Sequence, residues 1–122
     1  METIRVLNLL NNKSSAELQQ GLLEEARDTA LHAVNYYLLT YSLSDEHTQL
    51  DKITLQCQAQ VSALILRSIG DRYLDLGIER DDQCLVETGK DMVCRSKNVL
   101  MLCRAIPCHA NARESPSVLS PS

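Results

Sequence analysis

Along most of this chain apolar residues recur at steps of three and four, the spacing of a helix that buries one face. The first run is short, Thr3 to Asn11, with Ile4, Leu7 and Leu10 on one side. Asn11-Asn12-Lys13-Ser14 reads as a turn, and Ser14 with Glu17 three residues on reads as a capping box that opens a second helix. That helix is predicted to run to about Tyr41 on a stripe of Leu18, Leu22, Ala26, Ala30, Ala33, Tyr37 and Tyr41, whose alanines let a neighbouring helix come close. Ser42 to Asp45 interrupts the period. Ser44 suits an N-cap there, with Asp45 and Glu46 in the first turn, where carboxylates complement the helix dipole. The next stripe is Leu50, Ile53, Cys57, Val61, Leu64, Ile65, Ile69, Tyr73 and Leu76, closed by Gly77 as the left-handed residue after the helix. Gly70 inside this run forgoes about 1 kcal/mol relative to alanine. It implies either a close crossing by another backbone or a break between two helices near Ser68. A last helix is predicted over about Asp82 to Ile106, with Leu85, Met92, Val99, Leu102 or Cys103, and Ile106 inward, ended by Pro107.

Composition narrows the class. The 122 residues suit one domain, and the 44% hydrophobic content removes disorder as an overall description. There is no Phe or Trp and only four Tyr, so the core is built from aliphatic residues, Met and Cys. With all three prolines at or beyond Pro107, the expectation is an all-α fold of antiparallel helix pairs. Residues 1–107 form the helical domain, and 108–122, small, polar and proline-containing, read as a disordered tail. The net charge of −4 is uneven: the chain through Gln60 is acidic, whereas Lys90, Arg95, Lys97, Arg104 and Arg113 follow Asp81 and Asp82. Acid first and base last suits a helix dipole, and dispersed bases without aromatics make a poor nucleic-acid footprint, so direct nucleic-acid binding is not expected. An odd number of cysteines without a signal peptide points to a reducing, intracellular setting, and no apolar run is long enough to cross a membrane.

Leu66 to Gly89 is the most informative stretch. It places an apolar residue at Ile69, a small one at Gly70, an aromatic at Tyr73, a glycine at Gly77, a bulky apolar at Val86 and a late small residue at Gly89. This resembles one unit of the tetratricopeptide pattern, with Leu66 where tryptophan is frequent. The chain departs from it at Asp82, normally alanine, and in lacking a closing proline. The resemblance implies a fragment of an α-α superhelix. The segments Ala26-Arg27-x-x-Ala30 leading to Asn35-Tyr36, Leu43-Ser44-Asp45-Glu46, and Gly70 to Gly77 look similar to the Zip-four and Spo-twenty-two family of meiotic crossover scaffolds. That family's chains are far longer. The likeness implies a fragment, short isoform or distant relative, with a nuclear, chromosome-associated scaffolding role.

Chemistry is sparse. Cys94, Cys103, Cys108 and His109 are the candidate metal ligands, but zinc favours tighter cysteine pairs, and no metal or other cofactor is expected. Cys57 and Cys84 fall on or near apolar stripes and read as small buried hydrophobes. His32 and His47 stand in different elements, and Asp71 and Asp75 with Arg67 and Arg72 read as surface pairs. Phosphate-binding and nucleophile motifs are missing, so neither an enzyme nor a small-molecule substrate is expected. The expected function is therefore protein binding or self-association. Asn35, Tyr36, Arg72 and Tyr73 are the candidate contacts, because tyrosines join a flat apolar ring to one polar handle. The alternative is a small closed helical bundle acting as a general adaptor or chaperone.

Overall fold

The computed structural model describes residues 2–43 and 49–105, and side chains over 2–40 and 52–103. Within them the chain is all-α, with four helices: α1 Glu2–Gln19, α2 Leu23–Leu43, α3 Gln49–Arg80 and α4 Gln83–Ala105. The expected Ser44 cap, His47, Ile106, Pro107 and the segment 108–122 lie outside the described residues, as do the side chains of Tyr41 and Leu50. α1 packs on α2 and α3, α2 also packs on α3, and α3 carries α4 along its C-terminal part.

The expected turn at Asn11–Ser14 is absent; α1 runs straight through it. Both residues are buried and satisfied inside the fold. The Asn11 Nδ2 donates to the Gln58 carbonyl and to Gln58 Oε1, each at 3.0 Å, and Ser62 Oγ donates to Asn11 Oδ1 at 2.6 Å. Ser14 Oγ donates back to the Asn11 carbonyl at 3.2 Å rather than capping a new helix. Asn11, which locally favours a turn, instead fastens α1 to α3, and this tertiary bonding outweighs the local preference.

The break comes instead at Gly21, whose φ of 80° lies in the left-handed region. The Gly21 N–H donates to the Leu18 carbonyl and the Leu22 N–H to the Glu17 carbonyl, which satisfies two of the last carbonyls of α1. Leu22, expected on the buried stripe, consequently sits in the turn and is exposed. The second hairpin ends in the same way, but not at the predicted residue. α3 continues through Gly77 to Arg80, and Asp81 adopts the left-handed conformation with φ 53°. Asp82 then caps α4, its Oδ1 accepting from the Cys84 and Leu85 N–H groups at 2.9 and 3.4 Å.

Gly77 is needed for proximity. A Cβ there would lie 2.6 Å from Val86 Cγ2 and 2.8 Å from Val86 N. Gly70 and Gly89 face each other in the same crossing, so the close-approach alternative for Gly70 holds and no break occurs near Ser68. Ser96 Oγ extends the contact by donating to the Ala63 carbonyl at 2.8 Å. These pairs run in opposite directions along the two helices, which makes α3 and α4 antiparallel.

The buried face of α3 differs from the predicted stripe over its first half. Leu55, Ala59, Ser62, Ala63 and Leu66 are buried, whereas Ile53, Cys57, Val61 and Leu64 face solvent. Two apolar lines compete on this helix. The small residues of the first allow α1, α2 and α4 to approach, while the larger residues of the second would hold them apart. From Ile69 and Tyr73 onward the prediction and the structure coincide. In α4, Met92, Val99 and Cys103 are buried as expected, with Leu85 and Leu102 half-buried.

Candidate binding groove

The groove follows from how α2 and α4 are held. Both pack on α3, and between them lies a cavity of about 370 Å³ lined by Val34, Asn35, Leu38, Arg95, Asn98, Val99 and Leu102. Val34 and Val99 form a buried apolar floor, while Asn35, Arg95 and Asn98 are exposed at its margins. The Arg95 Nε donates to Asp91 Oδ2 at 2.8 Å, so its charge is partly neutralised one turn away. Cys103 Sγ lies 3.8 Å from the Tyr37 hydroxyl, and this buried contact joins α2 to α4.

The four residues expected at a partner face do not converge. Asn35 lines the groove, but Tyr36, next to it on the helix, is half-buried against the core. Arg72 is exposed on α3, away from the groove lining. Tyr73 is a correction: it is 4% exposed, with the Arg27 guanidinium 5.8 Å from its ring centroid. It therefore belongs to the core and not to a contact surface. Its hydroxyl is buried with no hydrogen-bond partner among the described residues, and burial pushes the phenol pKa up. The remaining repeat positions, Ile69, Gly70, Gly77, Val86 and Gly89, lie in or beside the α3–α4 interface.

Other polar groupings are structural. Glu17 accepts from Lys13 Nζ and Thr29 Oγ1, both at 2.8 Å, and Lys13 Nζ also reaches Thr29 Oγ1 at 3.3 Å. The Lys13 bond, then the Thr29 bond, hold the Glu17 carboxyl below its ordinary range. This cluster ties α1 to α2 in place of the expected cap. Cys57 and Cys84, expected to be buried, are exposed along with Cys94; only Cys103 among the described cysteines is inside. Among the described residues no three His, Cys, Asp or Glu side chains are grouped to hold a metal ion, and Cys108 and His109 lie outside them. No described helix is long and apolar enough to cross a membrane.

Of the groove residues, sequence reasoning named Asn35 as a contact but missed Val34, Leu38, Arg95 and Asn98. The α2 and α4 members of the lining are more than fifty positions apart in the chain, and no local pattern couples them. Compared with models of protein families, with curated proteins and with solved structures, the chain has no match.

Proposed function

We propose that this protein is a non-enzymatic protein-interaction module of the helical-repeat kind, and that the α2–α4 groove receives a segment of its partner. The groove carries the reading: an apolar floor at Val34 and Val99 lies between the carboxamides of Asn35 and Asn98. That chemistry suits an extended segment with an apolar side chain. Its unpaired backbone N–H and C=O groups meet amides at the rim, whereas a helix would arrive with its backbone bonds already made. The likeness of Ala26 to Tyr36 and of Gly70 to Gly77 to meiotic crossover scaffolds supplies the setting we propose, a nuclear, chromosome-associated scaffold.

The test compares affinity capture by the wild type with capture by Asn35→Arg and Asn98→Arg from germline and somatic nuclear extracts. Both substitutions are at exposed positions and leave the core intact. Recombination proteins recovered from germline alone, and lost with either variant, support the proposal. Specific partners recovered equally from both extracts and lost with the variants keep the groove but favour the general adaptor. Partners retained by both variants refute the groove itself.

A further inference from the structure

α4 delivers the rest of the chain to one end of the groove. Its last described residue is Ala105, and Leu102, one turn earlier, already lines the cavity. The sequence continues for 17 residues, IPCHANARESPSVLSPS, which lie outside the described structure. Pro107 has no N–H for a helical bond and disfavours helical geometry at Ile106, so the sequence ends the helix beside the groove.

Those residues carry one apolar anchor. From Cys108 onward the large aliphatic side chains are Val118 and Leu119, adjacent and framed by Ser117 and Ser120, with Pro116 and Pro121 just outside. Pro121 disfavours helical geometry at Ser120, and the three residues left after Pro116 are too few for a stable helix. The segment Ser117–Ser120 therefore offers two apolar side chains on a backbone whose N–H and C=O groups make no helical bonds. The groove presents the complement, an apolar floor at Val34 and Val99 between the exposed carboxamides of Asn35 and Asn98.

The connection is long enough. Val99 stands six residues before Ala105, about 9 Å back along the helix. Fourteen residues lead from Ala105 to Leu119 (119 − 105), a link of up to about 46 Å when extended and on the order of 20 Å as a flexible coil. The anchor thus reaches the floor with slack, at an effective concentration of about 1 mM.

We infer that Ser117–Ser120 of the same chain occupies the α2–α4 groove, with Val118 and Leu119 on the Val34–Val99 floor, and competes there with the partner's segment. The inference rests on the groove reading proposed above and adds its regulation. Ile53, Val61 and Leu64 form another exposed apolar line, on the half of α3 that lies beside the end of α4. That line is one convex helix face and meets a segment from one side only, whereas the groove holds it between two helices.

NMR of the methyl-labelled full chain decides it. Nuclear Overhauser contacts are expected between the Leu119 methyls and those of Val34 and Val99, unchanged on dilution. The double variant Val118→Ser, Leu119→Ser should move the Val34, Leu38 and Val99 signals and leave those of Leu7 and Leu66, which do not line the groove. A fluorescent peptide copying residues 112–122 should bind this variant about tenfold more tightly than the wild type, because a tethered segment with a Kd of ~0.1 mM at ~1 mM effective concentration closes the groove about ten to one. Asn98→Arg, at an exposed position, should abolish the contacts and the peptide binding together.

Absence of contacts from Leu119 to the groove overturns the inference, as does equal peptide binding by wild type and double variant. So do contacts to Ile53, Val61 or Leu64 instead, or contacts that vanish on dilution and so belong to a second copy. Partner capture that Asn98→Arg abolishes, in a chain whose Leu119 stays clear of the floor, keeps the groove reading and removes the tail from it. Leu119 on the floor, with no partner captured from either extract, keeps the tail and refutes the interaction module.

Discussion

In an ordinary helix interior, Gly89→Ala would stabilise the chain by about 1 kcal/mol through propensity alone. Here it should do the opposite. A Cβ on Gly89 would lie 2.7 Å from the Gly70 carbonyl oxygen, 2.8 Å from Leu74 Cγ and 2.9 Å from Leu74 N. Two of these three atoms are backbone, so no side-chain rotation relieves the overlap. Restoring contacts of about 3.5 Å requires α3 and α4 to separate by on the order of 0.8 Å, a gap that forfeits a quarter to a half of each dispersion contact along the crossing. Overpacking of this kind costs about 1–3 kcal/mol, and more where backbone must move. With backbone on both sides of the overlap the upper end of that range applies, about 3 kcal/mol, and the propensity gain of about 1 kcal/mol leaves a net loss of about 2 kcal/mol, or roughly 10 °C in thermal midpoint for a domain near this size.

Urea unfolding followed by circular dichroism measures the loss directly. A Gly89→Ala protein as stable as the wild type would refute the crossing as described. Gly21→Ala is the matched control, because nothing lies within 4 Å of its Cβ position but its φ is 80°. It should lose about 1–2 kcal/mol through backbone strain alone. Gly21→Asn should recover much of that, since asparagine tolerates the left-handed region, whereas Gly89→Asn should be worse than Gly89→Ala. The two glycines are thus separable, one required for space and one for conformation.

Three further outcomes follow from the same geometry. Leu66→Ala should cost about 2–5 kcal/mol and Leu64→Gln less than about 0.5 in urea titrations, because the first is fully buried and the second faces solvent; equal costs would reverse the assigned face of α3. Asp82→Ala should cost about 1 kcal/mol, since it strips the cap from the first turn of α4, with Asp82→Ser recovering most of it. The folded Glu17 carboxyl titrates below its unfolded value, so folding favours the deprotonated form. Its stabilisation is present above the unfolded pKa and is lost as pH falls through the lowered folded value. Lys13 is largely exposed, which limits the term to a few tenths of a kcal/mol. Glu17→Gln should flatten the stability–pH slope on the acid side of pH ~4.5, and an unchanged slope would remove Glu17 from the α1–α2 clasp.

What was legible in the sequence depended on how many elements each residue answers to. α4 packs chiefly on α3, so its buried positions Met92, Val99 and Cys103 obey one period and were readable. α3 contacts three helices, and its buried arc is chosen by which residues are thin enough for all three. Large residues at Ile53, Val61 and Leu64 carried the stronger hydrophobic signal, yet Ala59, Ser62 and Ala63 occupy the interior. Gly70 was interpretable because a glycine that gives up helix stability needs a reason, and the facing glycine on α4 supplies it. Asn11 misled because its local preference is for turns, while its partners, Gln58 and Ser62, lie 47 and 51 residues away in sequence; Ser14 misled because its hydroxyl folds back on the Asn11 carbonyl of the same helix. The groove was the least legible feature, since its lining exists only once α3 holds α2 and α4 at their observed spacing.

The two turns repeat the same three backbone bonds 60 residues apart, at Gly21, Leu22 and Ala26 and again at Asp81, Asp82 and Val86, and this repeat was hidden for a related reason. The left-handed position is filled by glycine in one hairpin and aspartate in the other, and the helix start is uncapped at Leu22 but capped by Asp82. Identical backbone bonding has been reached with different side chains, so sequence similarity between the halves is slight where structural similarity is greatest. Divergence reaches the buried positions as well. The counterparts of buried Ser62 and Met92 are exposed Glu2 and His32, and those of buried Ala30 and Tyr37 are exposed Lys90 and Lys97. Each side chain answers to what packs on it and not to its place in the repeat, so a pattern shared by the two turns leaves no matching pattern of apolar positions for a reader of the sequence to find.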